Sequence, residues 1–585
     1  MKFVRVISIF AGFLVLSARL AASSPDDSAA DLIGLWGCER SFGPDVRGEL
    51  TIVERGSKWR AAIAGFEVPA TNNGGALTLA LPGDRGEFRG HFSKDGSSIV
   101  GHWIQPQAQV KGARYATPVE LKQKPAKTWR GEVAPLDDHL SLYISIQRNP
   151  DGSIGAFLRN PDMNIGLRLK MGQVTRKGDL IHFAIGGGRE LTGKFDIENA
   201  VFSLVLPYAP ATFHFSRRSR DEAAGFYPRT PAEAYVYRQP LVDDDGWPTA
   251  TLAVVGLDAK PVAALVERIL ATTTDSPRAP YIQSVLIARH GKLALDEYFY
   301  GFHKDLPHDA RSASKTVASV LTGLAIDHGA PFDVSSSVYK LFPKYASFAN
   351  DDARKRKITV ENLLTMTAGY DCDENDDSSA GNEDTMQRQK QQRDWCKFTL
   401  DLPMKHEPGE KGLYCSAVIN LLGGIVANTT KQWLPDFFHA YYAAPLEIAR
   451  YHMNLTPTGE GYMGGGLYMR PRDFMKLGQL YLAGGRWKGR QVVSQQWVER
   501  SVQAHSSLEQ PNDYGYTWHL NEYKVGGKTY RAYNAGGNGG QLVIVIPDLD
   551  LVVMFTAGNY GDYMTWSKFG NELVPQYVIP AAAGK

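Results

Sequence analysis

Short runs of alternating apolar and polar residues recur through residues 31–218, where turns rich in Gly, Asp and Asn separate them. The clearest of these runs are Glu49–Val53, Leu77–Leu81, Leu140–Ile146 and Phe202–Leu206. Several short strands at regular spacing are typical of a β-sandwich or a β-barrel. The pattern therefore predicts a mostly β N-terminal domain over residues 31–218.

Two tryptophan-containing sequences in this region suggest an internal repeat. Trp36-Gly37 and Trp129-Arg130-Gly131 each open a stretch of about 90 residues. We therefore expect a two-fold β repeat. No motif in the region looks catalytic.

The second half of the chain has a different pattern. Two apolar runs, Ser284–Ala288 and Leu293–Phe299, form an opening hairpin, and Leu542–Ile546 and Leu551–Phe555 form a closing one. Between them, apolar residues at helical spacing predict a helix over Ala313–His328. Helices inserted between two hairpins indicate an α+β domain with an antiparallel sheet. We place this domain at residues 241–580, after a proline-containing linker at 219–240.

The N-terminus has the order of a secretory signal, which we assign to residues 1–22. Lys2 and Arg5 precede the apolar run Val6–Leu16, and small residues such as Ala21 follow it. The run is shorter than the ~20 residues that span a bilayer. The sequence thus predicts a secreted or periplasmic protein with no stable membrane insertion after signal removal. An uncleaved membrane anchor is the alternative.

Composition adds few constraints. A formal net charge of +2 gives no electrostatic reason to expect a nucleic-acid partner. No Cys/His cluster predicts a metal, and no motif calls for a cofactor. The four cysteines allow three full disulfide pairings, among which the sequence does not choose. The oligomeric state is equally open.

The strongest chemical pattern is Ser312-Ala313-Ser314-Lys315 at the start of the predicted helix. Residues three apart on a helix share a face, so the lysine lies beside the serine, and the helix N-terminus favours negative charge there. A nearby base and an electropositive setting activate a serine nucleophile. Ser337-Val338-Tyr339-Lys340 matches the same pattern, but no long helix follows it.

A second candidate element, Tyr414-Cys415-Ser416, precedes an apolar helical run. A tyrosine beside the Lys315 ammonium could act as a base, because the positive charge stabilises its phenolate form. A half-buried structural tyrosine is the alternative interpretation.

The third element, Asn534–Gln541, is rich in glycine and precedes the closing hairpin. Glycines let a backbone approach a ligand closely. An edge-strand N–H of this segment could form an oxyanion hole with the N–H of Ser312. A mobile glycine-rich loop is the alternative.

The order and spacing of the three elements resemble the serine β-lactamase and penicillin-binding-protein superfamily. The resemblance covers about residues 240–580 and is nearest to the class C-like branch with 6-aminohexanoate-dimer hydrolases and related esterases. Ile358–Gly369 and Tyr462–Leu467 support it. Where the superfamily has Lys-Thr-Gly, this chain has Asn534-Ala535-Gly536, which puts β-lactam activity in doubt because that lysine holds a substrate carboxylate.

The resemblance implies a serine hydrolase that forms an acyl-enzyme with small esters or linear amides. Ser312 would be the nucleophile, and Lys315 and Tyr414 would move its proton. Ser416 would orient the substrate or Lys315, and Gly536, Gly537 and Asn538 would hold the oxyanion. A non-catalytic cell-wall or ligand-binding protein on a decayed hydrolase fold is the alternative. A third hypothesis makes the β-rich half a module that delivers the hydrolase to a polymer or the cell envelope.

Two further expectations concern the segment after Gly369. The acidic stretch Asp371–Asp377 resembles the start of a calcium loop but lacks its glycine and final glutamate, so we interpret it as a solvated loop lining the cleft. A disulfide between Cys372 and Cys415 is a hypothesis, because both cysteines flank cleft motifs.

Overall fold

The structure is a computed structural model that describes residues 27–207, 211–230, 234–509 and 512–584. The segment 1–22 expected to be a signal peptide lies outside the described residues. None of the described helices is both long enough and apolar enough to cross a membrane.

Sixteen described strands form the N-terminal region, and they run in chain order with mostly short turns. They are β1 Gly34–Ser41, β2 Gly48–Arg55, β3 Lys58–Ile63, β4 Phe66–Asn73, β5 Ala76–Ala80, β6 Glu87–Phe92, β7 Ser98–Ile104, β8 Arg114–Lys124, β9 Thr128–Val133, β10 His139–Arg148, β11 Ile154–Arg159, β12 Met171–Lys177, β13 Leu180–Ile185, β14 Arg189–Asp196, β15 Val201–Val205 and β16 Thr212–Arg217.

These strands close into two eight-stranded barrels that exchange one strand each. Strands β2–β8 close with β9, which pairs with both β2 and β8. Strands β10–β16 close with β1, which pairs with both β10 and β16. The two repeats are therefore β1–β8 and β9–β16, and the first strand of each completes the barrel of the other.

The two tryptophans that suggested a repeat lie on the exchanged strands. Trp36 on β1 packs against Phe195 and Phe202 inside the second barrel. Trp129 on β9 packs against Trp59 at 5.5 Å between ring centres inside the first barrel. Burial of these large rings stabilises the exchange. The two-fold β repeat is thus confirmed, and the barrel rather than the sandwich is the architecture.

The remaining described strands belong mainly to one large antiparallel sheet in the order β18-β17-β29-β28-β27-β26-β25-β24. They are β17 Ile282–Arg289, β18 Lys292–Tyr298, β19 His308–Asp309, β20 Tyr451–Leu455, β21 Leu467–Met469, β22 Arg486–Trp487, β23 Arg490–Gln491, β24 Ser506–Glu509, β25 Asn512–Tyr514, β26 His519–Val525, β27 Lys528–Gly537, β28 Gln541–Ile546 and β29 Leu551–Ala557.

Twelve α-helices are described, and most of them lie in the sequence between strands β18 and β24 of this sheet. They are α1 Ile165–Arg168, α2 Ala259–Leu270, α3 Ser314–Asp327, α4 Val360–Leu364, α5 Glu383–Arg388, α6 Trp395–Asp401, α7 Ser416–Thr430, α8 Leu434–Phe438, α9 Pro471–Leu482, α10 Gln495–Ser501, α11 Tyr563–Lys568 and α12 Ile579–Ala583. Short 3-10 turns cover Asp27–Leu32, Arg311–Ala313, Val338–Leu341, Ala353–Lys357 and Pro547–Leu549, and π-helical turns cover His439–Ala443 and Phe569–Val578.

Both faces of the sheet are covered by helices. One face packs against α3, α7 and α9 in the larger apolar core. The other packs against α2 and the C-terminal helices in a second core. The sheet is antiparallel, its sequence begins with the hairpin β17–β18 and ends with the hairpin β28–β29, and helices pack on it. This is the α+β fold that the sequence predicts.

The first barrel and the second half of the chain share a continuous sheet. Strand β20 pairs with β8, with Met453 opposite Ala116. It also pairs with β21, which pairs in turn with the short strand β19. A buried hydrogen bond of 2.7 Å joins Thr117 Oγ1 to His452 Nδ1 across this junction. The first barrel is therefore attached to the strand that immediately precedes Ser312.

Candidate active site

Ser312 lies in the short 3-10 turn Arg311–Ala313, which connects β19 to α3. The N–H of Arg311 donates to Oδ1 of Asp309 at 2.8 Å, which fixes the start of the turn. Arg311 has a φ of 47°, a left-handed conformation that is uncommon for a residue other than glycine. Backbone strain of this kind next to a reactive side chain is frequent at functional sites.

Lys315 lies on the first turn of α3 and reaches back to the serine. Its Nζ donates to Oγ of Ser312 at 2.8 Å and to the carbonyl oxygen of Gly464 at 2.6 Å. The residue is 1% exposed. A Cβ at position 464 would lie 2.3 Å from the hydroxyl of Tyr462 and 2.8 Å from the carbonyl oxygen of Ser416, so this position requires glycine. Two hydrogen bonds therefore fix the lysine against the serine.

Tyr414 lies beside the same ammonium group. Its ring centre is 4.9 Å from Nζ of Lys315, within the range of a cation–π interaction. His519 stacks on Tyr414 with ring centres 6.3 Å apart. The pKa of His519 is lowered to about 4, mainly by burial and to a smaller extent by the positive charge of Lys315. The imidazole is therefore neutral at pH 7.

Two carboxylates, Glu374 and Glu383, hold Ser416. The N–H of Ser416 donates to Oε1 of Glu374 at 2.7 Å, and its hydroxyl donates to Oε2 of Glu383 at 3.1 Å. Tyr462 also donates to Glu383. Burial and the neighbouring charge of Glu383 raise the pKa of Glu374. The hydroxyl of Ser416 is thus directed at a carboxylate and not at Lys315, which Gly464 holds instead.

A disulfide joins Cys372 to Cys415, whose Cα atoms are 5.6 Å apart, and this confirms the hypothesised pairing. It ties the acidic loop to the residue after Tyr414. The N–H of Glu374 donates to the carbonyl of Tyr414 at 2.9 Å in the same contact. The loop lines the cleft, as expected, through Glu374, Asn375 and Asp377.

The glycine-rich element is the end of strand β27 and the turn that follows it. The expectation of an edge strand is wrong, because β27 pairs with both β26 and β28. Its pairing with β26 stops at Asn534, so the last three residues extend past that neighbour. There a Cβ on Gly537 would lie 2.5 Å from the carbonyl oxygen of Ala310 and 3.2 Å from the nitrogen of Ala313. The strand end thus packs directly on the Ser312 turn.

A cavity of about 880 Å³ opens over this arrangement. Ser312, Tyr414, Ser416, Gly536, Gly537 and Asn538 all line it. Lys315 lies behind Ser312. The volume is within the usual range for sites that bind small molecules. Within the described part of the chain, no group of three or more His, Cys, Asp or Glu side chains could hold a metal ion.

Comparison with protein families agrees with this geometry. The family model described as Beta-lactamase matches residues 274–563. These residues form a β-lactamase-family domain. The two barrels precede the matched residues, and the elements of the candidate site described above lie within residues 274–563.

The β-lactamase-family domain has curated relatives of moderate similarity. A 6-aminohexanoate-dimer hydrolase from Paenarthrobacter ureafaciens is 30% identical over 275 residues, which cover 45% of this chain and 66% of that protein. The flp protein of Staphylococcus aureus strain MW2 is 26% identical over 174 residues, 28% of this chain and 33% of that protein. The chain therefore matches just under two thirds of the first relative and a third of the second.

Solved structures with similarity to this chain were also found. A family VIII carboxylesterase covers 57% of this chain and 98% of its own, with 16% identity and a TM-score of 0.43. A penicillin-binding-protein homologue from Caulobacter crescentus covers 54% and 96%, with 14% identity and a TM-score of 0.43.

The structure adds residues to the site that the sequence analysis did not select. Glu383, His519 and Gly464 contact the predicted residues directly, and Arg311 precedes the serine. Gly464 lies within Tyr462–Leu467, which supported the family resemblance, so that stretch could have indicated it. No sequence pattern singles out His519. Ser337, the other serine that precedes a lysine by three residues, is not among the residues that line the cavity, and its hydroxyl donates to the carbonyl of Arg356.

Proposed function

We propose that this protein is a serine hydrolase that forms a covalent acyl-enzyme with small esters or linear amides. The observation that carries the proposal is the 2.8 Å contact between Lys315 Nζ and Ser312 Oγ at the floor of the cavity. A nucleophile within hydrogen-bonding distance of a base is the arrangement that covalent catalysis needs.

In the proposed reaction, Ser312 Oγ attacks the substrate carbonyl carbon while its proton passes to the Lys315–Tyr414 pair. Lys315 makes the direct contact with Oγ, so the proton leaves the serine along this hydrogen bond. The N–H groups of Ser312 and Gly537 hold the resulting oxyanion, because β27 packs against the Ser312 turn. The proton then goes to the leaving group as the acyl-enzyme forms. A water molecule releases the acid by the reverse of these steps.

Two observations support linear amides or esters as substrates. The relative from Paenarthrobacter ureafaciens is named for the hydrolysis of a dimer of 6-aminohexanoate. In addition, Asn534 occupies the place of the lysine of Lys-Thr-Gly, which favours substrates other than β-lactams.

We also propose that the protein is exported to the periplasm or beyond the cell. The N-terminal residues have the order of a secretory signal. The Cys372–Cys415 disulfide supports an oxidising compartment, because such bonds are rare in the cytosol.

Turnover of p-nitrophenyl acetate by three proteins tests the proposal. We expect the wild type to be active, Ser312→Ala to lose at least about a thousandfold in kcat, and Ser337→Ala to match the wild type. Ser337 is the matched control because it also precedes a lysine by three residues. A folded wild-type protein without turnover would favour the alternative, a non-catalytic binding protein. The presence of Asn534 in place of the lysine of Lys-Thr-Gly is the observation that supports this alternative.

A further inference from the structure

The β-rich region forms one wall of the cavity over Ser312. The segments that reach it are the β7–β8 loop with Lys111, the loop before β10 with Leu136 and Asp137, and Asp162–Met163 after β11. These segments lie outside the β-lactamase-family match, which begins at residue 274. The family match therefore implies no binding role for them.

The basic residues of the cavity all lie on one side, whereas acidic residues lie on both. Glu374, Asp377, Glu383 and Asp384 line the side that carries the Cys372–Cys415 disulfide, and Asp137, Asp162 and Asp309 line the side of the barrels and the Ser312 turn. The described lysine and arginine residues that line the cavity are Lys111, Arg168 and Arg311, from the barrels and from the turn that the first barrel supports. Asn534, on the opposite strand, carries no charge.

Lys111 has an incomplete set of partners. Its side chain is 13% exposed, and its nearest described carboxylate oxygen is Oδ1 of Asp138, 3.9 Å from Nζ. That distance is too long for a hydrogen bond. Asp138 is instead held by the backbone N–H groups of Val110 and Lys111, at 3.0 and 3.2 Å. The carboxylate therefore fixes the loop, and the ammonium group retains donors for a ligand.

Arg311 also lines the cavity, but it has a nearer carboxylate partner than Lys111. Its side chain is 39% exposed within the cavity, and its guanidinium lies over the ring of Tyr560 at 4.7 Å. Oδ2 of Asp309 is 2.9 Å from Nε, but this contact lacks hydrogen-bond geometry, while Oδ1 accepts the N–H of Arg311. Asp309 thus positions the backbone of the turn and pairs with the guanidinium, which lies with Tyr560 at the cavity wall.

We propose that Lys111 and Arg311 bind a carboxylate group of the substrate, so that the first barrel forms part of the substrate-binding site. An arginine fork and a lysine ammonium are the usual partners of carboxylates in proteins. This subsite proposal rests on the proposed serine hydrolase function, which supplies the reaction that follows substrate binding. It assigns the β-rich region to substrate recognition within the cleft and not to delivery of the enzyme.

A matched pair of esters tests the subsite. Mono(4-nitrophenyl) adipate carries a free carboxylate, and its methyl ester has the same chain without the charge. We expect the wild type to prefer the charged ester by about tenfold or more in kcat/KM, and Lys111→Gln to lose about tenfold on that ester alone, through KM. Lys111→Arg keeps the preference, and Lys122→Gln, an exposed lysine on β8, serves as the control.

Two results would overturn the proposal. One is an equal effect of Lys111→Gln on the charged and the neutral ester, and the other is a wild type that treats both esters alike. Absence of all turnover would contradict the proposed function, and titration calorimetry then decides the subsite separately. In that measurement the wild type binds monomethyl adipate more tightly than dimethyl adipate, and Lys111→Gln loses the difference. Equal binding of both compounds would contradict the subsite.

Discussion

The contact between Gly537 and the Ser312 turn provides a substitution whose effect follows from distances. In Gly537→Ala, the new Cβ would lie 2.5 Å from the carbonyl oxygen of Ala310 and 3.2 Å from the nitrogen of Ala313. Both atoms belong to the backbone, so a side-chain rotation cannot relieve the overlap. Strand β27 or the turn must move.

The size of that movement sets the expected loss. An ordinary contact of 3.4 Å requires a retreat of about 0.9 Å from the Ala310 oxygen. A displacement of about 1 Å in a catalytic group costs roughly a hundredfold, and loss of one oxyanion donor costs about a hundred- to a thousandfold in kcat. We therefore expect Gly537→Ala to lower kcat by about a hundredfold, with a much smaller change in KM.

Gly536→Ala is the matched control on the neighbouring residue. Its Cβ would have its nearest neighbour 3.2 Å away, the side-chain nitrogen of Asn534, and the next contacts at 3.8 Å. The assay compares kcat for p-nitrophenyl acetate in both variants, with circular dichroism and thermal melts to verify folding. A folded Gly537→Ala variant that keeps kcat within threefold of the wild type would refute the assigned oxyanion hole.

Two further predictions concern stability. The double substitution Cys372→Ser with Cys415→Ser removes the disulfide and opens a loop that it closes over 43 residues. We therefore expect the free energy of unfolding by urea to fall by up to about 4 kcal/mol and turnover to decrease. The control Cys396→Ser, at a free cysteine, changes neither quantity. An unchanged unfolding midpoint would contradict this. The pKa of His519 lies below its ordinary 6.5, at about 4, so the unfolded chain takes up the proton first and stability is lost as the pH falls between these values. We expect His519→Phe to reduce the loss of unfolding free energy between pH 7 and pH 5 by up to about 2 kcal/mol, and an unaltered pH dependence would show that His519 is not buried as described.

Local spacing predicted the centre of the site because helical geometry is itself local. Ser312 and Lys315 are three residues apart, so the helix alone brings them together, and the hydrogen bond follows. The oxyanion strand and Tyr414 could be placed only by resemblance to a known family, since neither has a periodic signal that indicates its role.

The partners of these residues could not be predicted from local patterns. Gly464 is 149 residues from Lys315, and Glu374 is 42 residues from Ser416. Alternation of apolar and polar residues predicts a strand but not its neighbour, so the exchange of β1 and β9 was not foreseen. The same limit applies to β20, whose pairing with β8 brings the first barrel against the cleft.

The most direct test of the central claim is the site of covalent modification by a fluorophosphonate, measured by mass spectrometry of the intact protein and of its peptides. The account predicts one adduct per chain on Ser312, no adduct in Ser312→Ala, and a normal adduct in Ser337→Ala. A folded wild-type protein that remains unmodified, or an adduct that persists in Ser312→Ala, would contradict it.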